Sequence, residues 1–162
     1  MKNTWRFTGN EQKYLMEVIS GDMISSTSGN MNFRFENEFA NYTGTRFAVT
    51  FNSGTSTLHA ALHACNVNSG DEVIIPPLTV ICNADVIFAQ GAIPVFADVD
   101  PLTWNIDPNC VEKLITNKTK AIMPVSLYGL SADLTKLRGI SKKYNIPLIN
   151  DAAQAFGASC NS

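Results

Sequence analysis

Two short stretches of this sequence carry residue types that could act on a small ligand. The first is "NSGTS" (52–56), which follows the apolar run "RFAVTF" and opens the helix-like "TSTLHAALHAC". Gly54 allows close backbone approach, and Ser53, Thr55 and Ser56 bring hydroxyls to the free N–H groups of a starting helix. Such a terminus favours a phosphate by about 0.3–1 kcal/mol through the helix dipole alone, and by more once hydrogen bonds form. The same residues also make an ordinary N-cap turn. The stretch is neither a Walker loop nor a Gly-x-Gly-x-x-Gly turn.

The second stretch is "LINDAAQAFG" (148–157), where an apolar run ends on Asp151. A carboxylate there needs water or a cationic partner. It either caps the next turn or faces a cationic heterocycle such as a protonated pyridine, whose protonated form a neighbouring carboxylate favours. Gln154, three residues on, could then donate or accept at a ring hydroxyl. A phosphate grip at one turn and a pyridinium partner at the other together describe pyridoxal 5′-phosphate.

Other constellations are weaker. His59 and His63, the only histidines, stand at i, i+4, a spacing that can bind a metal. No third ligand is near them in sequence, so a packed or surface helix face is expected and no metal site is assigned. The four cysteines (65, 82, 110, 160) are scattered without a Cys-x-x-Cys pair, as reduced thiols would be, and at least two are expected to be buried as small apolar side chains. Trp104 is expected to anchor its loop by packing on the domain, an interface aromatic being the alternative.

The elements that must position these residues follow from the apolar pattern. Among 162 residues, 45% are hydrophobic and 16% charged, and the net charge is −2. That suits one ordinary globular domain and suggests no nucleic-acid or membrane partner. The N-terminal residues lack the apolar core of a signal peptide, so the cytoplasm is the expected location. Helices are expected in "EQKYLMEVIS", ended by Gly21, and in "NFRFENEFANYTG", ended by Gly44. From there strands at 46–51, 72–76, 93–99, 121–127 and 146–150 alternate with helices at 55–65, 79–90, 107–116 and 131–144. Asp107 and Pro108 open one of these helices, and Asp133 lies near the cap of the last. Continuous apolar strands between helices predict an α/β fold, a mostly parallel sheet covered on both faces as a three-layer sandwich. Right-handed crossovers put the carboxyl ends of all strands on one edge, where ligands of such sheets bind. Both stretches leave strands at that edge.

The blocks "NSGTSTLHAAL", "GDEVIIPPLTV", "GAIPVFADVDPLTWNIDP", "KTKAIMPVSLYG" and "INDAAQAFGA" resemble, in order, those of the DegT/DnrJ/StrS family. These are pyridoxal-phosphate-dependent sugar aminotransferases of the aspartate aminotransferase fold (fold type I), and the resemblance runs from about residue 6 to the end. It implies an incomplete large domain: a helical N-terminal segment over 1–45, then the first part of the cofactor-binding domain over 46–162. It implies that Gly54 and Thr55 hold the cofactor phosphate, that Asp151 pairs with the pyridine nitrogen, and that Gln154 meets the ring or its 3′-oxygen. "SSTSG" (25–29) would lie beside the active site. The whole enzyme would be a homodimer acting on a keto-sugar nucleotide, with glutamate as the usual amino donor.

This sequence departs from the family pattern in three places. Val80 stands where an aromatic residue usually stacks on the ring, and its aliphatic side chain can still press on that face. Ser126 stands where a histidine is usual, and no role is assigned to it. The Schiff-base lysine would come after Asp151, where this sequence has no lysine; Lys142 and Lys143 are expected on a solvated helix end. The chain is therefore expected to be the N-terminal part of a longer enzyme, inactive and poorly soluble alone. Its first strand, 46–51, would be cut off from the strands that should flank it, leaving apolar edges open. Three rivals are a lysine-less sugar dehydratase of the same family, a type I relative acting on amino acids or peptides, and a non-catalytic interaction module.

Overall fold

The computed structural model describes residues 9–21 and 30–159. The chain falls into two compact units, Met1–Thr50 and Phe51–Ser162.

The first unit holds α1 (Glu11–Ser20) and α2 (Met31–Thr43). Helix α2 stops as expected, because Gly44 takes φ +68 and the N–H of Thr45 closes back on the carbonyl of Ala40 at 3.0 Å. Arg34 of α2 pairs with Glu17 of α1 and lies over the Tyr14 ring, 5.4 Å from its centroid.

The second unit alternates helix and strand: α3 (Gly54–Ala64), β1 (Glu72–Ile75), α4 (Cys82–Ala89), β2 (Ile93–Phe96), α5 (Pro108–Lys113), β3 (Thr119–Ile122) and α6 (Leu134–Tyr144). The strands are parallel in the order β2-β1-β3. Side chains alternate across this sheet with period two. Val73, Ile75, Ala121 and Met123 face one core with Leu58 and Leu62 of α3 and Ala84, Val86 and Ile87 of α4. Ile74 and Ile122 face the other, with Val111 of α5 and Leu137 and Ile140 of α6. The result is the expected three-layer α/β sandwich with a small parallel sheet.

Four expected strands differ: β2 stops at Phe96 rather than at 99, β3 spans Thr119–Ile122 rather than 121–127, and the other two form no regular strand. Residues 46–51 form no strand, and Phe47, Val49 and Phe51 are exposed. An extended segment becomes a strand only through ladder partners, and these residues pair with none among the described residues. Residues 146–150 do lie parallel to the chain continuing from β3, but only through single bridges, Ile122↔Leu148 and Val125↔Asp151. The cause is Pro124, which has no N–H to give to the ladder between those bridges. Its carbonyl still accepts from the N–H of Asp151 at 2.9 Å, and the N–H of Ser126 returns to the carbonyl of Asp151 at 2.9 Å. Position 151 is thus fixed by the backbone on both sides.

Candidate functional site

Parallel strands send β1, the β3 continuation and the 146–151 segment out at one edge of the sheet. Asp151 sits there, half-buried. Its Oδ1 accepts from the N–H of Ala153 at 3.1 Å, so the capping alternative is realised on one oxygen. Its Oδ2 accepts from Asn83 Nδ2 at 3.0 Å. Asn83 is fully buried in the first turn of α4, and its Oδ1 accepts from the Thr79 hydroxyl at 2.8 Å. No salt bridge to Asp151 occurs among the described residues.

The turn into α3 is also a working N-cap. Ser53 is extended at φ −159, and its Oγ accepts from the N–H of Ser56 at 3.1 Å. The carbonyl of Ser53 accepts from the N–H of Thr57 at 3.1 Å. That leaves the N–H groups of Gly54 and Thr55 with no acceptor among the described residues. Gly54 is exposed, and a Cβ added to it would meet nothing within 4 Å.

Val80 leaves β1 on the loop into α4 and is 56% exposed, so its side chain is available to a ligand. Exposed Gln154 accepts through Oε1 from the N–H of Tyr128 at 3.2 Å. Tyr128 is itself left-handed at φ +52 and followed by Gly129 at φ +88, a turn that aims its N–H at the glutamine. Within the second unit, then, Asp151 and Gln154 share one turn, and Asn83 ties that turn to the Val80 loop. Residues 25–29 lie outside the described residues.

Other candidates resolve simply. His59 Nε2 meets Gln90 Oε1 at 2.9 Å, and no group of three His, Cys, Asp or Glu that could hold a metal is gathered among the described residues. Cys65, Cys82 and Cys110 are free thiols packed against the two cores, and burial pushes the Cys65 thiol up; Cys160 lies outside the described residues. Ser126 is buried, accepting from the N–H of Ala132 at 3.1 Å and donating to Asn150 Oδ1 at 3.2 Å, so it stitches a turn. Trp104 is not the packed anchor expected, being 55% exposed at φ +63. Its turn is shaped instead by Asp100, whose side chain accepts from the N–H groups of Leu102 and Thr103 at 2.8 and 3.0 Å. Lys142 and Lys143 are solvated at the end of α6, with Lys143 donating to Glu112 at 2.7 Å. No helix among the described residues is long and apolar enough to cross a membrane.

One residue of this site escaped the sequence reading. Asn83 lies within the apolar "TVICNADVIFAQ", and the available signal was a single carboxamide in a helix face otherwise built for the core.

A parallel sheet between helix layers, with a carboxylate fixed at its carboxyl edge, is the architecture in which open α/β domains bind their ligands. The sequence profile of the DegT/DnrJ/EryC1/StrS aminotransferase family matches residues 6–162. The GDP-perosamine synthase of Caulobacter vibrioides is 44% identical over 154 residues, 95% of this chain and 41% of that protein. The solved aminotransferase of Psychrobacter cryohalolentis superposes with a TM-score of 0.90 at 35% identity, over 97% of this chain and 40% of that one. A GDP-4-keto-6-deoxymannose-3-dehydratase solved with a trapped PLP-glutamate geminal diamine superposes with a TM-score of 0.87 at 26% identity, over 96% of this chain and 42% of that one. The chain belongs to the DegT/DnrJ/EryC1/StrS aminotransferase family, whose cofactor is pyridoxal 5′-phosphate. It spans about two fifths of the length of the relatives it matches.

Proposed function

We propose that this chain is the cofactor-binding N-terminal part of a pyridoxal-phosphate-dependent aminotransferase. The substrate is a keto-sugar nucleotide, the amino donor glutamate, the assembly a homodimer and the location the cytoplasm. Residues 1–45 form its helical N-terminal segment, and residues 46–162 begin its large domain. By itself the chain is inactive.

The observation that carries this reading is Asp151, a carboxylate anchored by the backbone and by a buried amide at the sheet's carboxyl edge, with no cationic side chain paired to it among the described residues. The donor set suits the cofactor at both ends. The N–H groups of Gly54 and Thr55, which have no acceptor among the described residues, take the phosphate at the tip of α3 together with the Thr55 hydroxyl. Asp151 holds the proton on the ring nitrogen, Gln154 meets the ring or its 3′-oxygen, and Val80 presses on the ring face by dispersion. When bound, the cofactor supplies the electron sink for chemistry next to an amino nitrogen. The residues of this chain bind it, orient it and keep its ring nitrogen protonated.

The test is an assay of the full-length protein with keto-sugar nucleotides and glutamate. Amino-group transfer that falls at least about tenfold in Asp151→Asn supports the reading, and full activity in that variant refutes it. A second reading is favoured by the match to the dehydratase: the same residues would serve a sugar dehydratase of the family. A deoxy-keto sugar as product, in place of an amino sugar, would establish that reading.

A further inference from the structure

We propose that Asn83 is a positioning residue for Asp151: its carboxamide fixes the rotation of the carboxylate so that the ring nitrogen of the cofactor meets a preset oxygen. The inference rests on the cofactor reading above. Three observations carry it.

The first is that Asn83 has no exposure to solvent. It stands on α4 among Ala84, Val86 and Ile87, which belong to the core cluster beneath the sheet. A carboxamide buried there is costly unless every polar atom is satisfied, and an apolar residue would fill the place more cheaply.

The second is that its hydrogen bonds have a direction. Thr79 has a hydroxyl to donate, and it donates to Asn83 Oδ1 at 2.8 Å. An ionised carboxylate only accepts, so the NH2 group must be the side that faces Asp151, at 3.0 Å. Nδ2 also lies 3.6 Å from Met123 Sδ, which occupies its remaining hydrogen. A flipped amide would set oxygen against the carboxylate and leave the Thr79 hydroxyl facing an NH2 group.

The third is reach. Asn83 follows β1, whereas Asp151 ends the segment on the far side of β3. The amide therefore spans the carboxyl end of β3 and ties two loops of the site together. Asp151 is held at its own backbone by the Pro124 and Ser126 links, so the side-chain torsions are what remain to be set. The Ala153 N–H and the Asn83 amide take one oxygen each and leave one rotation. Asn83 touches neither ring nor substrate in this account; it acts through Asp151.

The test uses the full-length protein with pyridoxal 5′-phosphate labelled with 15N in the ring. Asp151→Asn is expected to move the ring-nitrogen resonance from the protonated to the unprotonated position. Asn83→Ala is expected to move it part of the way in the same direction and to weaken cofactor binding roughly tenfold, the loss of one hydrogen bond to a charged group. Thr79→Val, which frees the amide from its far end, is expected to act in the same sense but less, and decides the matter should Asn83→Ala fail to fold. A purely structural asparagine would lower the melting temperature and leave the resonance where it was. If Asp151→Asn shifts the resonance while Asn83→Ala and Thr79→Val, both folded, leave resonance and affinity at their wild-type values, the positioning role is overturned and the cofactor reading stands. If Asp151→Asn itself leaves the resonance unmoved, the cofactor reading fails, and the positioning role with it.

Discussion

Glu36 and Thr50 are joined twice: both the N–H and the hydroxyl of Thr50 donate to Glu36 Oε1, each at 2.8 Å. This clamp holds the end of the 46–50 segment against α2, within the first unit, in place of a strand ladder.

The clamp has a pH signature. The Thr50 N–H, then its hydroxyl, hold the Glu36 carboxyl below its ordinary range. A depressed folded value means the contribution is complete above the ordinary glutamate range and is lost as pH falls through the folded value. Thr50→Val keeps the N–H and deletes the hydroxyl, so the Glu36 carboxyl should titrate closer to an ordinary glutamate. A carbon-13 NMR titration of that carboxyl checks this; identical curves for variant and wild type would contradict the clamp.

Helix α6 should depend on Asp133, which accepts from the N–H of Lys136 at 3.0 Å and pairs with its ammonium at 2.9 Å. Asp133→Ala should cost roughly 0.5–2 kcal/mol, the usual range for losing a cap. The Lys136 N–H and ammonium also hold the Asp133 carboxyl below its ordinary value. The stabilisation is therefore present above the ordinary aspartate range and fades as pH drops through the folded value. Denaturant melts of wild type and variant at neutral pH and near pH 3 should converge on acidification.

Gly91 and Gly54 should answer differently to the same substitution. Gly91 takes φ +74, and an added Cβ would approach Ser69 Cβ and Oγ to 3.1 Å. Gly91→Ala should destabilise by about 1–2 kcal/mol from the left-handed backbone alone, read as a lower melting temperature.

Gly54→Ala introduces no such clash and replaces a poor helix former in α3, so thermal stability should hold or rise by up to roughly 1 kcal/mol. Cofactor affinity should nonetheless fall, because the proposed phosphate grip at this turn uses the close backbone approach that a side chain at position 54 restricts. Equilibrium dialysis with pyridoxal 5′-phosphate measures it; unchanged affinity would remove the phosphate from this turn.

Local signals carried much of the fold. Gly44 after α2, Ser53 before α3, Asp107-Pro108 at α5 and Asp133 at α6 each act on neighbours within a few residues, so they could be read directly. Helix lengths were read less well. The 107–116 span shrinks to Pro108–Lys113, because the backbone turns after Lys113 to enter β3.

For the site, the sequence by itself determined which residue types stand at the turns: Gly54 and Thr55 at the start of α3, Val80 between β1 and α4, and Asp151 and Gln154 after the 146–150 segment. It also determined the α/β alternation, since apolar periodicity and caps are short-range properties. Only the tertiary structure decided which apolar runs become strands, because a ladder needs a partner: 46–51 finds none among the described residues, and 146–150 is interrupted opposite Pro124. Only it could pair Asn83 with Asp151, residues 68 apart in the chain. Their hydrogen bond exists because parallel strands deliver distant turns to one edge, a proximity that no local pattern encodes.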